Sequence, residues 1–245
     1  MRLEKILGFV IYTFPLGEAD QIITCFTSAG NLEKFVAKGS RKVKSRFAAS
    51  VQLFNLGEYI IYRGKGLPYL RQAAIVDSFP AIRRDWQKSG AAFAVMELCR
   101  LLLGEQAGEA EAFKLALAYM YHLKTAAYHP LTFDAFRLQF AASLGYAMSF
   151  DRCAVCGQVA KTGSLVWRRG GLVCPRCRPG GGAVGERLPA LLTALQTRGF
   201  AEIDSLEVAD SLKQACAKAV DSLIFWLSEG KTKAQAFRTL FEDGF

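Results

Sequence analysis

The sequence is poor in the features that mark several common classes of protein. Among its 245 residues there are only two histidines, His122 and His129, and neither has a carboxylate or a cysteine at metal-ligand spacing. No apolar run reaches the length of a membrane span, because charged residues interrupt the longest candidates. The first residues, MRLEKILGFV, lack the longer apolar run and the cleavage site of a signal peptide. We therefore expect a soluble protein of the reducing cytoplasm, without a membrane partner.

Two motifs typical of enzymes that act on phosphates are also missing. There is no phosphate-binding loop of the form G-x-x-x-x-G-K-[ST], and the GKG at 64–66 is too short to serve as one. The acids Glu18, Asp20 and Glu58 do not form the clustered carboxylates that Mg²⁺ prefers. We therefore expect a binding protein and not an enzyme. A nuclease built on those three acids is the enzymatic alternative.

Positive charge, in contrast, is in excess. The chain has 31 Lys and Arg against 22 Asp and Glu, which gives a formal net charge of +9. Such an excess points to a polyanionic partner, either nucleic acid or an anionic membrane surface. The chain is long enough for one large domain or two modest ones, and its 51% hydrophobic residues are enough to form a buried core.

Four of the seven cysteines form two C-x-x-C pairs, Cys153 with Cys156 and Cys174 with Cys177. The spacing between the pairs falls within the window of a four-thiolate zinc site, and a reducing compartment disfavours disulfides. Because four thiolates leave no position for water, we predict one structural Zn²⁺. The segment LVWRRGGLVC between the pairs is predicted to be a hairpin. The other cysteines are interpreted as small core residues: Cys25, Cys99 and Cys216.

The first 80 residues have the pattern of short strands. Five runs rich in β-branched and aromatic residues alternate with turn segments: ILGFVIYTF, QIITCFT, LEKFVAK, VQLFNLGEYIIY and LRQAAIVDSF. Five strands without a helical period suggest a small barrel that is closed or nearly closed, with an OB-fold as the leading candidate. We predict an OB-fold nucleic-acid-binding domain over residues 1–80.

The loops of this predicted barrel carry most of its positive charge. The candidate nucleic-acid-binding residues follow the third and fourth runs: Lys38, Arg41, Lys42, Lys44, Arg46, Arg63, Lys65 and Arg71. If these loops share one rim, they form an electrostatic groove for single-stranded nucleic acid. Phe35, Phe47, Phe54 and Tyr69 are interleaved with the cations as candidates for base stacking, although most of them are expected in the core. The alternative is that the charge run is solvated surface.

Beyond Phe79 the apolar residues follow a helical period. The predicted helices are GAAFAVMELCRLLL, EAFKLALAYMYHLKTAA, LTFDAFRLQFAASLGY, LPALLTALQTRGF and VADSLKQACAKAVDSLIFWLSEG, with a last one in KTKAQAFRTLFEDGF to about Phe241. We predict a helical domain over 81–245, packed as a bundle, with the zinc module inserted at about 150–180. The fold class is therefore α+β.

Taken together, the barrel, the basic loop, the helical body and the cysteine module resemble the RecO family of bacterial recombination mediators. The likeness is densest in the first 70 residues, where several short segments follow in the order of the family's N-terminal pattern. These segments are Gly17, Glu18 and Asp20 (G-E-x-D), Ala37, Lys38 and Gly39 (A-K-G), Ser45 with Arg46, and Leu67 with Pro68. The order of these segments along the chain carries the likeness.

The resemblance implies an N-terminal OB-fold that binds single- and double-stranded DNA, a helical C-terminal domain and, in many members, a zinc knob. It also implies that the protein anneals complementary strands and, with RecR, helps RecA to displace single-stranded DNA-binding protein during DNA repair and recombination. Such a protein would act in the bacterial cytoplasm, associated with the nucleoid. Two alternatives stay open, a zinc-containing RNA-binding or ribosome-associated protein and a protein-interaction scaffold in which the charge is incidental.

Overall fold

The computed structural model describes residues 2–103 and 108–231 of the chain. It divides into two compact units, Met1–Met120 and Tyr121–Phe245. The first unit contains all the strands of the predicted OB-fold. The domain boundary at residue 80 stays a prediction. Within the described residues, no helix combines the length and the apolar character that crossing a bilayer requires.

Five strands form a closed barrel in the first unit. They are β1 (Arg2–Leu16), β2 (Asp20–Thr27), β3 (Leu32–Ala37), β4 (Leu56–Arg63) and β5 (Tyr69–Asp77). Their order around the barrel is β1-β2-β3-β5-β4, with antiparallel pairing everywhere except between β3 and β5, which pair in parallel. A five-stranded barrel with this crossover is the architecture of an OB-fold, which confirms the prediction.

Strand β1 is long and bent, so it pairs with two neighbouring strands. A register shift between Val10 and Tyr12 marks a bulge, which lets one half of the strand pair with β4 and the other with β2. Gly8 lies where β1 passes β2, and a Cβ there would come within 2.4 Å of the carbonyl oxygen of Phe26. The inward-facing residues of the barrel form a buried core, in which Ile23 and Phe35 are fully buried.

The fourth predicted run is longer than the strand it forms. We predicted a strand from the start of VQLFNLGEYIIY, at Val51, but β4 begins only at Leu56. The residues before it form turns that end at Phe54, whose φ of 72° is incompatible with a strand. Phe54 and Asn55 instead exchange backbone hydrogen bonds with Val10 of β1 at 3.0 and 2.9 Å.

Three helices follow the barrel: α1 (Pro80–Arg84), α2 (Trp86–Leu102) and α3 (Ala110–Thr125). The segment AIRRDW, which precedes the first predicted helix, is therefore itself mostly helical. Asp85 ends α1 and caps α2, since its carboxylate accepts hydrogen bonds from the backbone N–H groups of Gln87 and Lys88 at 2.9 and 3.1 Å. Phe113 of α3 packs on Phe9 of β1, with ring centroids 5.6 Å apart.

The second unit consists of a helical bundle and the cysteine module. Its helices are α4 (Pro130–Ser143), α5 (Arg187–Thr197), α6 (Phe200–Asp204) and α7 (Asp210–Leu227), and α4 packs against the other three. Helices from both sides of the module therefore pack together, as predicted. Arg137 of α4 is fully buried between the carboxylates of Asp134 and Asp221. The helix predicted in KTKAQAFRTLFEDGF lies outside the described residues.

The module itself is a small two-stranded knob. Strands β6 (Ser164–Val166) and β7 (Gly171–Val173) pair antiparallel through a short helical turn at Trp167–Arg169, which confirms the predicted hairpin. Gly171 has a φ of 124°, and a Cβ there would lie 2.2 Å from the carbonyl oxygen of Ser149, so only glycine fits. The indole N–H of Trp167 donates to Ser222 Oγ of α7 at 2.8 Å and fastens the knob to the bundle.

Candidate nucleic-acid groove and four-cysteine cluster

The basic segment that follows β3, residues 38–46, is held by the turn between β1 and β2. The backbone N–H of Gly39 donates to Asp20 Oδ1 at 2.7 Å, and the backbone N–H of Arg41 donates to the carbonyl oxygen of Ala19 at 2.9 Å. The guanidinium of Arg41 also donates to the carbonyl oxygen of Gly17 at 2.9 Å. Two of the segments that resemble the RecO pattern, G-E-x-D and A-K-G, are therefore bonded to each other.

A cationic groove of about 480 Å³ lies between the basic segment and the start of β5. The residues lining it are Lys38, Gly39, Lys42, Lys44, Ser45, Arg46, Phe47, Tyr69, Leu70 and Arg71. None of these lining residues is acidic, so five positive charges face the groove without a carboxylate among them. A concentration of cations on one concave surface attracts phosphates and raises the local concentration of a polyanion.

The groove continues along the outer face of β4 and β5. A second concavity, of about 490 Å³, shares Arg46, Phe47 and Arg71 with the first. Its far side carries Lys5 and Glu58, which form an ion pair at 2.9 Å. The charge along this surface is therefore highest near the basic segment and falls toward Glu58.

The structure brings five of the eight predicted binding residues into the cationic groove: Lys38, Lys42, Lys44, Arg46 and Arg71. The other three lie elsewhere. Arg41 holds the β1–β2 turn, and Lys65 is exposed in the turn between β4 and β5. Arg63 donates to Glu4 at 2.6 Å and to Glu33 at 3.0 and 2.7 Å, and these hydrogen bonds raise its pKa and offset its charge. That any of the eight binds nucleic acid stays a prediction.

Among the aromatic candidates, Phe47 and Tyr69 line the groove, and Tyr69 is the more exposed of the two. Phe35 and Phe54 are buried, and Phe47 is 94% buried with the guanidinium of Arg46 over its ring. Tyr69 is only partly buried, and its ring lies 5.1 Å from that of Tyr62, which sequence reasoning missed. The sequence does contain a signal for this pair, because the two tyrosines stand one on each side of the turn RGKGLP.

The four cysteines of the two C-x-x-C pairs meet in the knob. Their sulfur atoms all lie within 4.8 Å of one another, and the sulfurs of Cys156 and Cys174 are 3.9 Å apart. Thiolates around a tetrahedral Zn²⁺ at about 2.3 Å are separated by about 3.8 Å, so the donor set fits this ion. Each pair closes as a tight turn, with backbone hydrogen bonds from Gly157 to Cys153 and from Cys177 to Cys174.

Backbone N–H groups near the cluster change the pKa values of its cysteines. The backbone N–H of Cys174 donates to Cys153 Sγ at 3.3 Å. Together with the N–H of Cys156, it lowers the pKa of Cys153 to about 6, which favours the thiolate form of this sulfur. Hydrogen bonds with Cys156 and Cys174 raise the pKa of Cys177 to about 12. A metal ion would therefore displace a proton from Cys177.

Several of the side chains considered for other chemistry have structural partners. Within residues 2–103 and 108–231, the four cysteines are the only group of three or more His, Cys, Asp or Glu side chains placed to hold a metal. Asp20 accepts from Gly39, Glu58 pairs with Lys5, and His122 Nε2 lies 3.1 Å from a carboxylate oxygen of Asp204. The remaining cysteines are buried, as predicted: Cys25, Cys99 and Cys216.

Comparison with known proteins gives consistent matches over both units. The family model for the N-terminal part of recombination protein O matches residues 1–79, and that for its C-terminal part matches residues 83–236. The chain is 29% identical over 227 residues to the DNA repair protein RecO of Clostridium novyi. The aligned region covers 91% of this chain and 89% of that protein. It is 30% identical over 237 residues to the RecO of a Nocardioides species, covering 94% and 96%. It is 36% identical over 181 residues to the RecO of Frankia casuarinae, covering 72% and 74%.

Proposed function

The chain belongs to the RecO family of DNA repair proteins, and on that premise we propose that it is a DNA-binding recombination mediator. In this proposal it binds single- and double-stranded DNA and anneals complementary single strands. With RecR, it assists the loading of RecA onto DNA that is coated by single-stranded DNA-binding protein. The observation that carries the proposal is the cationic groove, where five cations and no acid line one surface of the OB-fold.

Annealing requires two polyanions to approach each other, and the groove supplies what that step needs. Lys38, Lys42, Lys44, Arg46 and Arg71 would neutralise phosphates and release the counterions condensed on them, which lowers the repulsion between strands. The hydrogen bonds from Gly39 and Arg41 to the β1–β2 turn order the basic segment before DNA arrives. Less conformational entropy is then lost on binding. This work needs no nucleotide hydrolysis, so we propose that the protein acts by binding alone.

We propose that the cysteine cluster holds one structural Zn²⁺. The ligands would be Cys153, Cys156, Cys174 and Cys177, whose sulfur separations fit a tetrahedral ion. When bound, the ion would cross-link the two C-x-x-C turns. It would supply no chemistry, because four thiolates complete its coordination. The residues around it keep the knob in place, with Trp167 bonded to Ser222 of α7.

The protein partners follow from family membership. We propose RecR and single-stranded DNA-binding protein as direct partners and RecA as an indirect one. Since the proposed substrate is chromosomal DNA at gaps and breaks, we expect the protein to act in the cytoplasm with the nucleoid.

The test is strand annealing of complementary oligonucleotides by the full-length, zinc-loaded protein. The variant replaces the five cations of the groove by alanine: Lys38, Lys42, Lys44, Arg46 and Arg71. A control variant removes the same charge from exposed cations elsewhere: Arg84, Lys114, Lys161, Arg198 and Lys218. We expect annealing to collapse in the groove variant and to persist in the control. A wild type that does not anneal, or a groove variant that anneals as fast as wild type, would refute the proposal.

A further inference from the structure

Two tyrosines face each other at the end of the β4–β5 hairpin. Tyr62 is the cross-strand partner of Tyr69, and their ring centroids are 5.1 Å apart at an interplanar angle of 44°. Tyr69 is also the residue of β5 that pairs with Val36 of β3, the contact that closes the barrel. The tyrosine pair, Tyr62 with Tyr69, therefore lies where three strands meet.

The tyrosine pair differs from the aromatic residues of the barrel core. Tyr59, in the same strand as Tyr62, is fully buried, and its hydroxyl donates to the carbonyl oxygen of Ser50 at 3.2 Å. Phe35 packs against Tyr59 and is also fully buried. Tyr62 and Tyr69 instead keep part of their surface exposed, and Tyr69 lines the cationic groove. Tyr69 is therefore accessible from the groove, and Tyr62 lies beside it with part of its own surface exposed.

Two of the groove's cations lie over the faces of these rings. Lys38 Nζ lies 4.9 Å from the centroid of the Tyr69 ring, and the guanidinium carbon of Arg71 lies 4.8 Å from it. The same guanidinium lies 5.4 Å from the Tyr62 ring. Each cation is within the distance of a cation–π contact. Charges that can bind phosphate and rings that can stack on a base are therefore side by side, which is the combination that single-strand-binding grooves use.

We propose that the tyrosine pair is a stacking platform for unpaired bases and makes the groove select single strands over duplex. The inference rests on the proposed function and deepens it. In a duplex the bases are stacked on one another and only the phosphates reach the groove, so the rings contribute nothing there. A single strand presents phosphates to the cations and bases to the rings. The annealed product would then be held by phosphates alone and would leave more easily than the strands from which it formed.

A different role for the rings makes an opposite prediction. If Tyr62 and Tyr69 only position Lys38 and Arg71 through cation–π contacts, their loss weakens phosphate binding in general. Single strands, duplexes and strands without bases would then lose affinity by the same factor. If the rings stack on bases, only a strand that carries unpaired bases loses affinity.

The experiment measures affinity at low salt for three ligands of equal length: a single strand of mixed sequence, its duplex and a single strand of abasic sites. The proteins are wild type, the double variant Tyr62→Leu with Tyr69→Leu, the ring-retaining variant Tyr69→Phe, and a control. The control is Tyr12→Leu, because Tyr12 is an exposed tyrosine of β1 with Arg100 over its ring, 5.6 Å away, and does not line the groove.

We expect the double variant to lose roughly 5- to 100-fold in affinity for the intact single strand. It should keep wild-type affinity for the duplex and the abasic strand. Tyr12→Leu should bind all three ligands as wild type does. Tyr69→Phe loses the hydrogen bond from Arg71 to the Tyr69 hydroxyl but keeps the ring, so it should keep the preference for the intact single strand over the abasic strand. An equal loss for all three ligands in the double variant, or no loss for any of them, would overturn the stacking platform.

A second measurement does not depend on the folding of any variant. Wild-type protein should bind the intact single strand more tightly than the abasic strand and quench 2-aminopurine placed in the intact strand. Equal affinity for the two strands, without quenching, overturns the inference. Failure of the inference differs from failure of the proposed function, since a protein that anneals strands through its cations can still lack a stacking platform.

Discussion

The backbone N–H of Gly39 donates a hydrogen bond of 2.7 Å to the carboxylate of Asp20. This contact joins the turn after β1 to the basic segment after β3, two parts of the chain that meet only in the closed barrel. Gly39 has a φ of 68°, a conformation that glycine adopts without strain, so the segment can turn back toward Asp20. The carboxylate of Asp20 therefore lies beside the most basic part of the protein and positions its backbone.

Substitution of Asp20 separates this positioning role from simple electrostatics. Asp20→Ala raises the net positive charge near the groove, so charge alone predicts tighter DNA binding. Loss of the hydrogen bond from Gly39 frees the basic segment, and we expect affinity for single-stranded DNA to fall by roughly threefold to tenfold instead. Asp20→Asn keeps an oxygen acceptor and should bind at least as tightly as wild type. Binding in Asp20→Ala that is tighter than in wild type would contradict the positioning role.

The buried ion pairs of the helical unit predict a large effect on stability that does not involve DNA. Arg137 is fully buried and donates to Asp221 of α7 at 2.6 Å and to Asp134 of its own helix. Asp134 still balances the charge of Arg137 when Asp221 is removed, but a buried guanidinium N–H loses its acceptor, and we expect Asp221→Ala to cost about 3 kcal/mol of unfolding free energy. Asp210→Ala is the matched control at the start of α7, where an exposed pair with Lys213 contributes at most about 0.5 kcal/mol. Urea unfolding followed by circular dichroism checks both, and similar midpoints for the two variants would exclude a stabilising role for the buried pair.

Much of the architecture could be predicted from local pattern. Runs of β-branched and aromatic residues gave the five strands, and the spacing of Cys153, Cys156, Cys174 and Cys177 gave the cluster that the structure shows. These features were predictable because strand propensity, turn residues and metal-ligand spacing are properties of short segments.

The pairing partners of individual side chains could not be predicted in the same way. Arg63 was interpreted as a binding residue because it is followed by glycines and a lysine, but barrel closure brings Glu4 and Glu33 to it from β1 and β3. Tyr62 was missed for a related reason. Its run, VQLFNLGEYIIY, reads as continuous core, and only the register of β4 on β5 sets it against Tyr69 at the edge of the groove.

Zinc removal should unfold the knob and leave the groove unchanged. We expect one Zn²⁺ per wild-type chain and a large loss of zinc in Cys153→Ala, because three thiolates no longer complete the coordination shell. Cys216→Ala is the control, since that cysteine is buried in α7 outside the cluster. Titration of the metal-free protein with zinc near neutral pH should release protons, because Cys177, with its pKa raised to about 12, is protonated there.

The readouts for zinc removal are metal content, proton release and the fluorescence of Trp167, which is bonded to Ser222. Chelation should shift the tryptophan emission of wild type more than that of Trp167→Phe. Affinity for single-stranded DNA should stay close to that of the zinc-bound protein. Zinc that is retained in full by Cys153→Ala would rule out the four-thiolate site.

Salt dependence tests how many of the groove's cations contact phosphates. For single strands, the logarithm of the binding constant falls with the logarithm of salt concentration with a slope of about −0.7 for each phosphate neutralised. If Lys38, Lys42, Lys44, Arg46 and Arg71 all contact the backbone, we expect a slope of about −3.5 for wild type. Replacing Lys42 alone by alanine should make the slope shallower by about 0.7. Lys114→Ala, which removes an exposed lysine of α3 paired with Glu111, should leave it unchanged. Equilibrium titrations at several salt concentrations give the slopes, and a wild-type affinity that does not vary with salt would show that phosphates do not dominate binding in this groove.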